Sequence, residues 1–385
     1  MFKKKIIYIS NLRLPTEKAH GIQIMKTCEA LKKGGADIEL WVANKRNETG
    51  QDNDVFDFYN ISHRFKIRKL PVLSFLPTAW KLSFYIESFS FFLSVFFAVL
   101  RSRDDFIVYT RDEVILFLCF LTKRRIFWES HMMLRSILLS ESRLRRIAGI
   151  ITISDSLKNL IIEKYNVDRR KIITAHDAVD LKEFNGFLLK EEARETLGLP
   201  KDKNIVMYTG SIFKQKGVFV LSETAALFDE KWLFVIVGGG QGDESEKVKQ
   251  FISKQGLRNI FLSGYIPHKE IIKYLAAADI LVIPNSNLDE RTKLFTSPLK
   301  LFEYMASGRP IVASATLTIL EVLNDSNAVL VEPDNPVALG EGLLKIVNDK
   351  KTAGFLAQNA RKEVENYTWE KRAIKILGFL EEHGR

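Results

Sequence analysis

Cysteine is almost missing from this chain, with Cys28 and Cys119 the only two thiols in 385 residues. Both fall inside apolar periodic segments, so neither a disulfide framework nor a thiolate metal cluster is available, and a reducing compartment is implied. No other grouping has metal-ligand spacing, and no bound metal is expected. A signal core is lacking too: Met1 to Lys5 leads straight into Ile6 to Ser10, a run too short for one, which predicts a cytoplasmic chain. Ala19-His20-Gly21 offers backbone amides at a helix start but lacks the full Gly-x-Gly-x-x-Gly phosphate signature. What remains is ordinary for a globular protein: 46% hydrophobic residues and only 10 prolines.

At 385 residues the chain exceeds what one hydrophobic core usually supports, which points to two domains. Charge is divided unevenly between the halves. Residues 1–185 hold 31 Lys and Arg against 21 Asp and Glu, and the remainder 26 against 26, so the whole net charge of +10 belongs to the first half. A basic domain suggests an anionic partner such as membrane lipid, a lipid phosphate or nucleic acid. Lys123-Arg124-Arg125 and Arg143-Leu144-Arg145-Arg146 can equally be solvated faces. One apolar run, Leu82 to Leu100, is interrupted by Glu87 and several serines and closed by Arg101 and Arg103. Its length just suffices for a span. A strand follows at once, however, and no second such run exists, so a buried helix behind a sheet is expected, with a membrane-touching helix as the alternative.

Strand-like and helix-like runs alternate along the chain. Lys4 to Ser10, a loop to His20, a helix from Gly21 to the Gly34-Gly35 stop and Asp37 to Ala43 make a βαβ opening. Its loop then lies at the carboxyl edge of a parallel sheet, where ligands bind in such folds. Residues 44–77 give no clear order. Strands follow at Phe106–Thr110, Arg125–Glu129 and Ile147–Ile153, with helices Val114–Leu121 and Leu157–Tyr165, the second capped by Ser154. His131, just past a strand's carboxyl end, either orients a substrate hydroxyl or is a capped loop residue. Charge-rich Lys190 to Arg194 and Gly198-Leu199-Pro200 mark a boundary, after which the alternation restarts. Strands are expected at Asn204–Thr209, Leu233–Val237, Ile260–Leu262, Ile280–Pro284, Ile311–Ser314 and Val329–Val331, with helices Val218–Asp229, Glu244–Gly256 and Lys269–Ala277. The fold class is α/β: two Rossmann-like doubly wound domains facing a central cleft, residues 1–185 with the C-terminal helix 369–385 packing back on them, and residues 186–368.

Ser297 to Pro310 joins a strand-like run to a helix with one acidic residue on an apolar face. Ser297 is placed to cap, Pro298 fits the first turn, and Gly308 ends the helix. Leu299, Phe302, Met305 and Ala306 share the inner face, with Glu303 beside it. Two readings stand: a grip in which helix-start amides face a diphosphate while Glu303 accepts ribose hydroxyls, or a Glu at the edge of an apolar stripe.

Several motifs occur in a fixed order. In the second half these are Tyr208-Thr209-Gly210-Ser211 with Lys216-Gly217, Val237-Gly238-Gly239-Gly240, Gly264-Tyr265-Ile266-Pro267, Ala277-Ala278-Asp279-Ile280 and the Ser297–Gly308 helix. The first half carries His20-Gly21-Ile22-Gln23, Tyr109-Thr110-Arg111-Asp112, Glu129-Ser130-His131, Ile151-Thr152-Ile153-Ser154 and Val179-Asp180 with Phe184. Together they resemble the retaining, nucleotide-sugar-dependent glycosyltransferases of family 4, which have the two-Rossmann GT-B architecture, over nearly the whole chain.

The resemblance implies transfer of a hexosyl-type sugar from a UDP- or GDP-sugar to a glycan or lipid-linked acceptor, in cell-surface polysaccharide or glycoconjugate synthesis. The donor is the co-substrate and no cofactor or metal is needed; independently of the resemblance, the basic first half and its aromatic helix suggest a cytoplasmic chain with peripheral contact to an anionic membrane. By the same resemblance Lys216 is the phosphate-binding lysine, Glu303 the ribose-binding carboxylate and His131 the histidine near the donor sugar. Gly21, Ser211, Gly239, Tyr265, Ile266, Ser297, Leu299 and Lys300 complete the donor side, Tyr265 and Ile266 by the base; His20 and Arg111 join His131 on the acceptor side. Two departures stand out. Phe295 occupies the place of a first Glu, and Ser211 that of an Arg, with Lys300 taking over part of the lost role. Retention without a nucleophile implies that the leaving diphosphate helps deprotonate the acceptor, stabilised by Lys216 and helix-start amides. Other readings are a sugar-nucleotide epimerase of the same architecture, with Glu129 as its acid near His131, and a catalytically silent sugar-nucleotide-binding subunit. Nucleic-acid binding ranks last, having charge without a motif.

Overall fold

The computed structural model describes residues 4–45, 54–73, 81–133, 144–186, 188–239, 243–288 and 297–384. They divide into two units, Met1–His176 with Trp369–Arg385, and Asp177–Thr368. Residues 177–185 thus belong to the second unit and not, as expected, to the first. Val179 bridges to Thr368 and its N–H donates to Tyr367 O (3.0 Å), while Phe184 enters the second unit's core.

In the first unit seven strands form a parallel sheet in the order β3-β2-β1-β4-β5-β6-β7. They are β1 (Lys5–Ser10), β2 (Ile38–Ala43), β3 (Lys66–Leu70), β4 (Phe106–Thr110), β5 (Ile126–Ser130), β6 (Gly149–Thr152) and β7 (Ile172–Thr174). Central strands of such a sheet are covered on both faces and need unbroken apolar runs. Ile-Ile-Tyr-Ile in β1 and Phe-Ile-Val-Tyr in β4 supply them and are buried throughout. At the edge, β3 reads Lys-Ile-Arg-Lys-Leu, charged as an exposed edge must be to resist further pairing. Three long helices follow in chain order, α1 (Ala19–Lys33), α2 (Lys81–Arg101) and α3 (Asp155–Tyr165), the last capped by Ser154 Oγ, which accepts from Leu157 N at 3.2 Å. The C-terminal helix, Trp369–His383, packs along α1 and seats Phe379 edge-on to Phe127, 5.8 Å between centroids. The expected helix Val114–Leu121 is instead a 3-10 stretch, Glu113–Phe117, with a single α-turn after it, Leu118–Leu121. Its β-branched and aromatic residues are weak helix formers, and the tighter winding buries Ile115 and Leu116.

The second unit holds a six-stranded parallel sheet in the order β10-β9-β8-β11-β12-β13. Its strands are β8 (Asn204–Thr209), β9 (Trp232–Val237), β10 (Ile260–Gly264), β11 (Ile280–Ile283), β12 (Ile311–Ser314) and β13 (Val329–Val331). Between and after them run α4 (Lys190–Leu197), α5 (Val218–Ala225), α6 (Asp243–Gln255), α7 (His268–Ala277), α8 (Leu299–Ser307), α9 (Pro336–Asn348) and α10 (Lys350–Glu363). Helix α4 lies where only a charged boundary was expected. Its Arg194 is buried, donating to Ala277 O (2.9 Å) and Asp279 Oδ2 (2.5 Å), while Asp279 also accepts from Lys190 Nζ (2.9 Å) and Ile205 N (2.7 Å). Charge in Lys190 to Arg194 therefore anchors a helix to the sheet. Asp279, one of the ordered motif residues, is explained by this framework role.

Candidate functional site

Each sheet has one place where neighbouring strands are not sequence neighbours beside a reversal of winding, the position at which open α/β sheets leave a ligand crevice. In the first unit this is between β1 and β4. Asn11, just past β1, donates its N–H to the Asp112 carboxylate just past β4, and Thr110 Oγ1 donates to Ile9 O at 2.9 Å. His20 opens α1 half-buried. Burial, then the charges of Arg111 and Lys18, push its pKa to about 4, so it is neutral at pH 7. Gly21 has a packing reason to be small: a Cβ there would stand 2.5 Å from Tyr59 Oη and 2.7 Å from Thr16 Cγ2.

One strand further, Glu129 is fully buried at the centre of a network. Its Oε1 accepts from Gln23 Nε2 (2.5 Å), His131 Nε2 (2.7 Å) and Arg372 Nη2 (2.9 Å), and its Oε2 from Tyr109 Oη (2.5 Å). Arg111 Nη1 donates to Gln23 Oε1 at 2.6 Å, so this acceptor-side residue joins the same chain of bonds. Burial alone would raise the Glu129 carboxyl. Arg372, the His131 hydrogen bond and Arg111 reverse that and hold it well below the usual carboxylate range. His131 goes the other way: burial first, then Arg111, lower it to about 4 against the pull of Glu129. An ionised Glu129 beside a neutral imidazole fixes the tautomer with the proton on Nε2, leaving the Nδ1 lone pair to accept a hydroxyl. The sequence presents Glu129 as a candidate acid and Gln23 within a motif, whereas nothing in it links Arg372, on the C-terminal helix, to residue 129.

The second unit's reversal lies between β8 and β11. Past β8 the chain turns through Gly210, at φ 133°, where a Cβ would stand 2.9 Å from Lys300 Nζ; Gly238, at φ 138°, lies so close that its Cβ would meet Gly210 O at 2.1 Å. Both positions require glycine, and the space left at Gly210 is occupied by Lys300. That lysine is buried on the first turn of α8, its Nζ 3.6 Å from the centroid of the Tyr208 ring and without a hydrogen-bond acceptor among the described residues. Burial, then the charge of Lys216, lower its pKa well below the ordinary value while Glu303 pulls upward; burial also lowers Lys216. Glu303, one turn on, is held by His268 Nε2 at 2.6 Å, which engages Oε1. Lys216 and Glu303 thus lie within electrostatic reach of Lys300, and a Cβ on Gly239 would meet Tyr265 N at an ordinary 3.6 Å. Ile266 packs against the core and Tyr265 is half exposed. Leu299 is only partly buried, whereas Leu301 and Tyr304 join Phe302 and Met305 inside.

Two expectations for the helix start are corrected. Pro298 precedes α8 rather than entering its first turn, and Ser297 does not cap it; Ser297 Oγ accepts from Asp177 N at 3.0 Å. Ser211 contributes its carbonyl, which accepts from Tyr208 Oη at 2.9 Å. Phe295, Gly240, Arg143 and the Cys119 side chain lie outside the described residues. Sequence reading also passed over Asn285. It lies two residues past β11 in a loop tied to the lysine loop by Ser286 N to Gln215 O (3.2 Å), and both its side-chain polar atoms are buried without a partner among the described residues. A lone Asn after an apolar strand was the available signal.

Two parallel doubly wound sheets, one with two lysines and a carboxylate at its carboxyl edge, place the chain in the class of two-sheet α/β proteins of GT-B type. The family model of glycosyl transferases group 1 matches residues 190–363. An uncharacterized glycosyltransferase of Methanocaldococcus jannaschii is 26% identical over 237 residues, 59% of this chain and 58% of that one, so the chain spans little more than half of that curated relative. Solved structures agree over the full length. Sucrose-phosphate synthase from Thermosynechococcus elongatus superposes with a TM-score of 0.79 at 18% identity, covering 99% of each chain. Anabaena HepE in complex with UDP-glucose gives 0.75 at 16%, covering 99% of this chain and 100% of that one. Residues 190–363, most of the second unit, thus match the group 1 glycosyl transferases, and the chain as a whole has the α/β fold of its GT-B structure neighbours.

Proposed function

We propose that this protein is a retaining glycosyltransferase of the family 4 kind that moves a hexosyl group from a UDP- or GDP-sugar to a glycan or lipid-linked acceptor in cell-surface glycoconjugate synthesis. The observation that carries this reading is the buried Lys300 Nζ, without a hydrogen-bond partner among the described residues and within electrostatic reach of Lys216 and Glu303, at the reversal point of the second sheet. Among the described residues neither lysine has an ion-pair partner within 4.0 Å, which leaves both to a diphosphate, and the Glu303 oxygen not held by His268 can accept ribose hydroxyls. Lys300 stands against Gly210, next to Ser211, and so supplies the positive charge that the family places on an Arg there. Asn285 adds an amide to the same edge. The UDP-glucose complex of the Anabaena neighbour supports a nucleotide-sugar donor.

In this reading the bond from the anomeric carbon to the diphosphate oxygen breaks and one to the acceptor oxygen forms on the same face. The acceptor proton passes to the departing diphosphate, whose charge Lys216 and Lys300 stabilise. No resident cofactor enters, and the two lysines provide the charge a divalent ion would otherwise bring. His131 Nδ1 is assigned to a sugar hydroxyl. The epimerase reading loses its acid, because both oxygens of Glu129 are engaged by donors that keep it ionised.

A pH dependence follows. Lys300 has a depressed pKa in the empty site; a bound diphosphate raises it, so binding takes up a proton. Affinity therefore climbs as pH falls toward the depressed value, by up to about tenfold per pH unit for one proton. Calorimetric titrations with UDP between about pH 7 and 10 should show this slope in wild type, and a flattened one in Lys300→Met.

A further inference from the structure

Helix α2 is turned the wrong way for a helix that belongs only to a soluble core. Its polar residues face protein. Glu87 pairs with Lys45 just past β2, Ser88 Oγ accepts from Asn11 Nδ2 (3.2 Å), Ser90 Oγ accepts from Leu73 N (3.0 Å), and Ser94 Oγ donates to Pro71 O (2.6 Å). Phe91, Val95 and Val99 are buried beside them. The opposite face, which carries no charge, is left outside. Tyr85 is 67% exposed, Phe89 61%, Phe97 49% and Leu100 54%, with Leu93 and Ile86 completing the stripe at helical spacing. Phe92 stacks on Phe96 and Phe96 leans on Phe97, 6.5 and 5.5 Å between centroids, so the surface is a continuous aromatic one. A contiguous apolar surface of this kind marks an interaction site.

Charge identifies what covers it. From residue 58 to residue 103 the sequence has seven Lys and Arg, and Glu87, buried and paired, is the only carboxylate. Lys66, Arg68 and Lys69 are exposed on edge strand β3, which packs against α2, and Arg101 and Arg103 are exposed at the helix end. Lys66 pairs with Glu39 and Arg68 sits over Trp41, but Lys69, Arg101 and Arg103 have no ion-pair partner among the described residues. The carboxylates that follow, Asp104 and Asp105, are engaged by Lys5 and Lys4. An uncharged aromatic stripe flanked by unpaired cations suits the headgroup boundary of an anionic bilayer, where rings enter the acyl edge and cations meet lipid phosphates. Among the described residues no helix is long and apolar enough to cross a membrane. We infer that α2 and the basic edge strand β3 form a bilayer-docking surface lying on anionic lipid. The surface does not depend on the glycosyltransfer reading. Its consequence does rest on that reading: the acceptor is one carried at a bilayer, since Ser88 and Glu87 on this helix touch Asn11 and Lys45, which lie one and two residues past β1 and β2 on the ligand edge of the sheet.

Co-sedimentation of the full chain with vesicles tests the surface. Wild type should pellet with phosphatidylcholine vesicles containing roughly 30% phosphatidylglycerol, less so in high salt, and stay in solution with phosphatidylcholine alone. The Phe89→Ser, Leu93→Ser, Phe97→Ser combination should cut partitioning about tenfold or more, since each exposed ring or chain is lost from the acyl edge. Its melting temperature and UDP binding, measured on the same samples, should match wild type, because these residues are exposed. Wild type remaining in the supernatant, or the triple variant pelleting as well as wild type, overturns the inference. So does a lipid-free dimer that the same substitutions dissolve, which would assign the stripe to a second copy. Nucleotide binding reports on the donor assignment independently of either result.

Discussion

Lys216→Ala should abolish sugar transfer and weaken binding of the cognate UDP- or GDP-sugar by roughly tenfold to a hundredfold, the ratio for one lost charge-assisted hydrogen bond of about 1.5–3 kcal/mol. Lys300→Met should do the same, and the double variant should bind less tightly than either. Folding should survive in both single variants. Among the described residues the Lys216 side chain has no hydrogen-bond partner, and Lys300 Nζ is buried without one and has a depressed pKa, so the empty protein gains little from either charge. Removing it should leave stability unchanged or slightly improved, which separates a ligand-directed lysine from a structural one. Calorimetry gives the affinity ratio and thermal unfolding the stability. Unchanged transfer in Lys216→Ala would remove the diphosphate from this edge.

Arg372→Met should destabilise the first unit by about 3–5 kcal/mol at pH 7, the cost of leaving a buried carboxylate without its cation. Arg372 gives three bonds at once, to Glu129 Oε1 (2.9 Å), Thr27 Oγ1 (3.1 Å) and His176 O (3.1 Å), and is almost completely buried. The sign with pH is specific. In wild type the depressed Glu129 pKa contributes stability above the carboxyl's unfolded pKa, and this is lost as pH falls through the folded value. Without Arg372 the burial that raises this pKa is opposed less, so the carboxyl titrates higher in the variant than in wild type and protonation relieves the variant first. The gap between the two proteins should narrow as pH is lowered from about 7 to 5 in urea unfolding. Glu129→Gln added to Arg372→Met should recover part of the loss by removing the charge. A gap that widens at low pH would contradict the assigned protonation states.

Most of the alternation was legible because a parallel sheet covered on both faces demands apolar strands, and Phe106–Thr110 and Asn204–Thr209 stand at their expected residues. Helix α4 was not. Its eight residues are mostly charged, and the one that fixes it, Arg194, is buried only because Asp279 waits 85 positions further on. Gly21 was read as a ligand-side residue, yet Tyr59, in a stretch that sequence left unordered, gives it a steric reason to be small. Lys300 was suggested by its place in Ser-Pro-Leu-Lys, but its seat over Tyr208 beside Gly210 needed coordinates. Glu303 emerged from helical spacing; the His268 that holds it came from a neighbouring helix, beyond any local pattern.

Titration calorimetry of UDP, GDP and their common sugar conjugates against wild type and Glu303→Ala asks directly whether the second unit holds a nucleotide-sugar. One nucleotide should bind preferentially, and Glu303→Ala should lose roughly tenfold or more of that affinity as the ribose hydroxyls lose their acceptor, with its melting temperature kept. Equal binding by wild type and variant, or no binding of any member of the panel, would contradict the assignment of Lys216, Lys300 and Glu303 to a sugar-nucleotide donor.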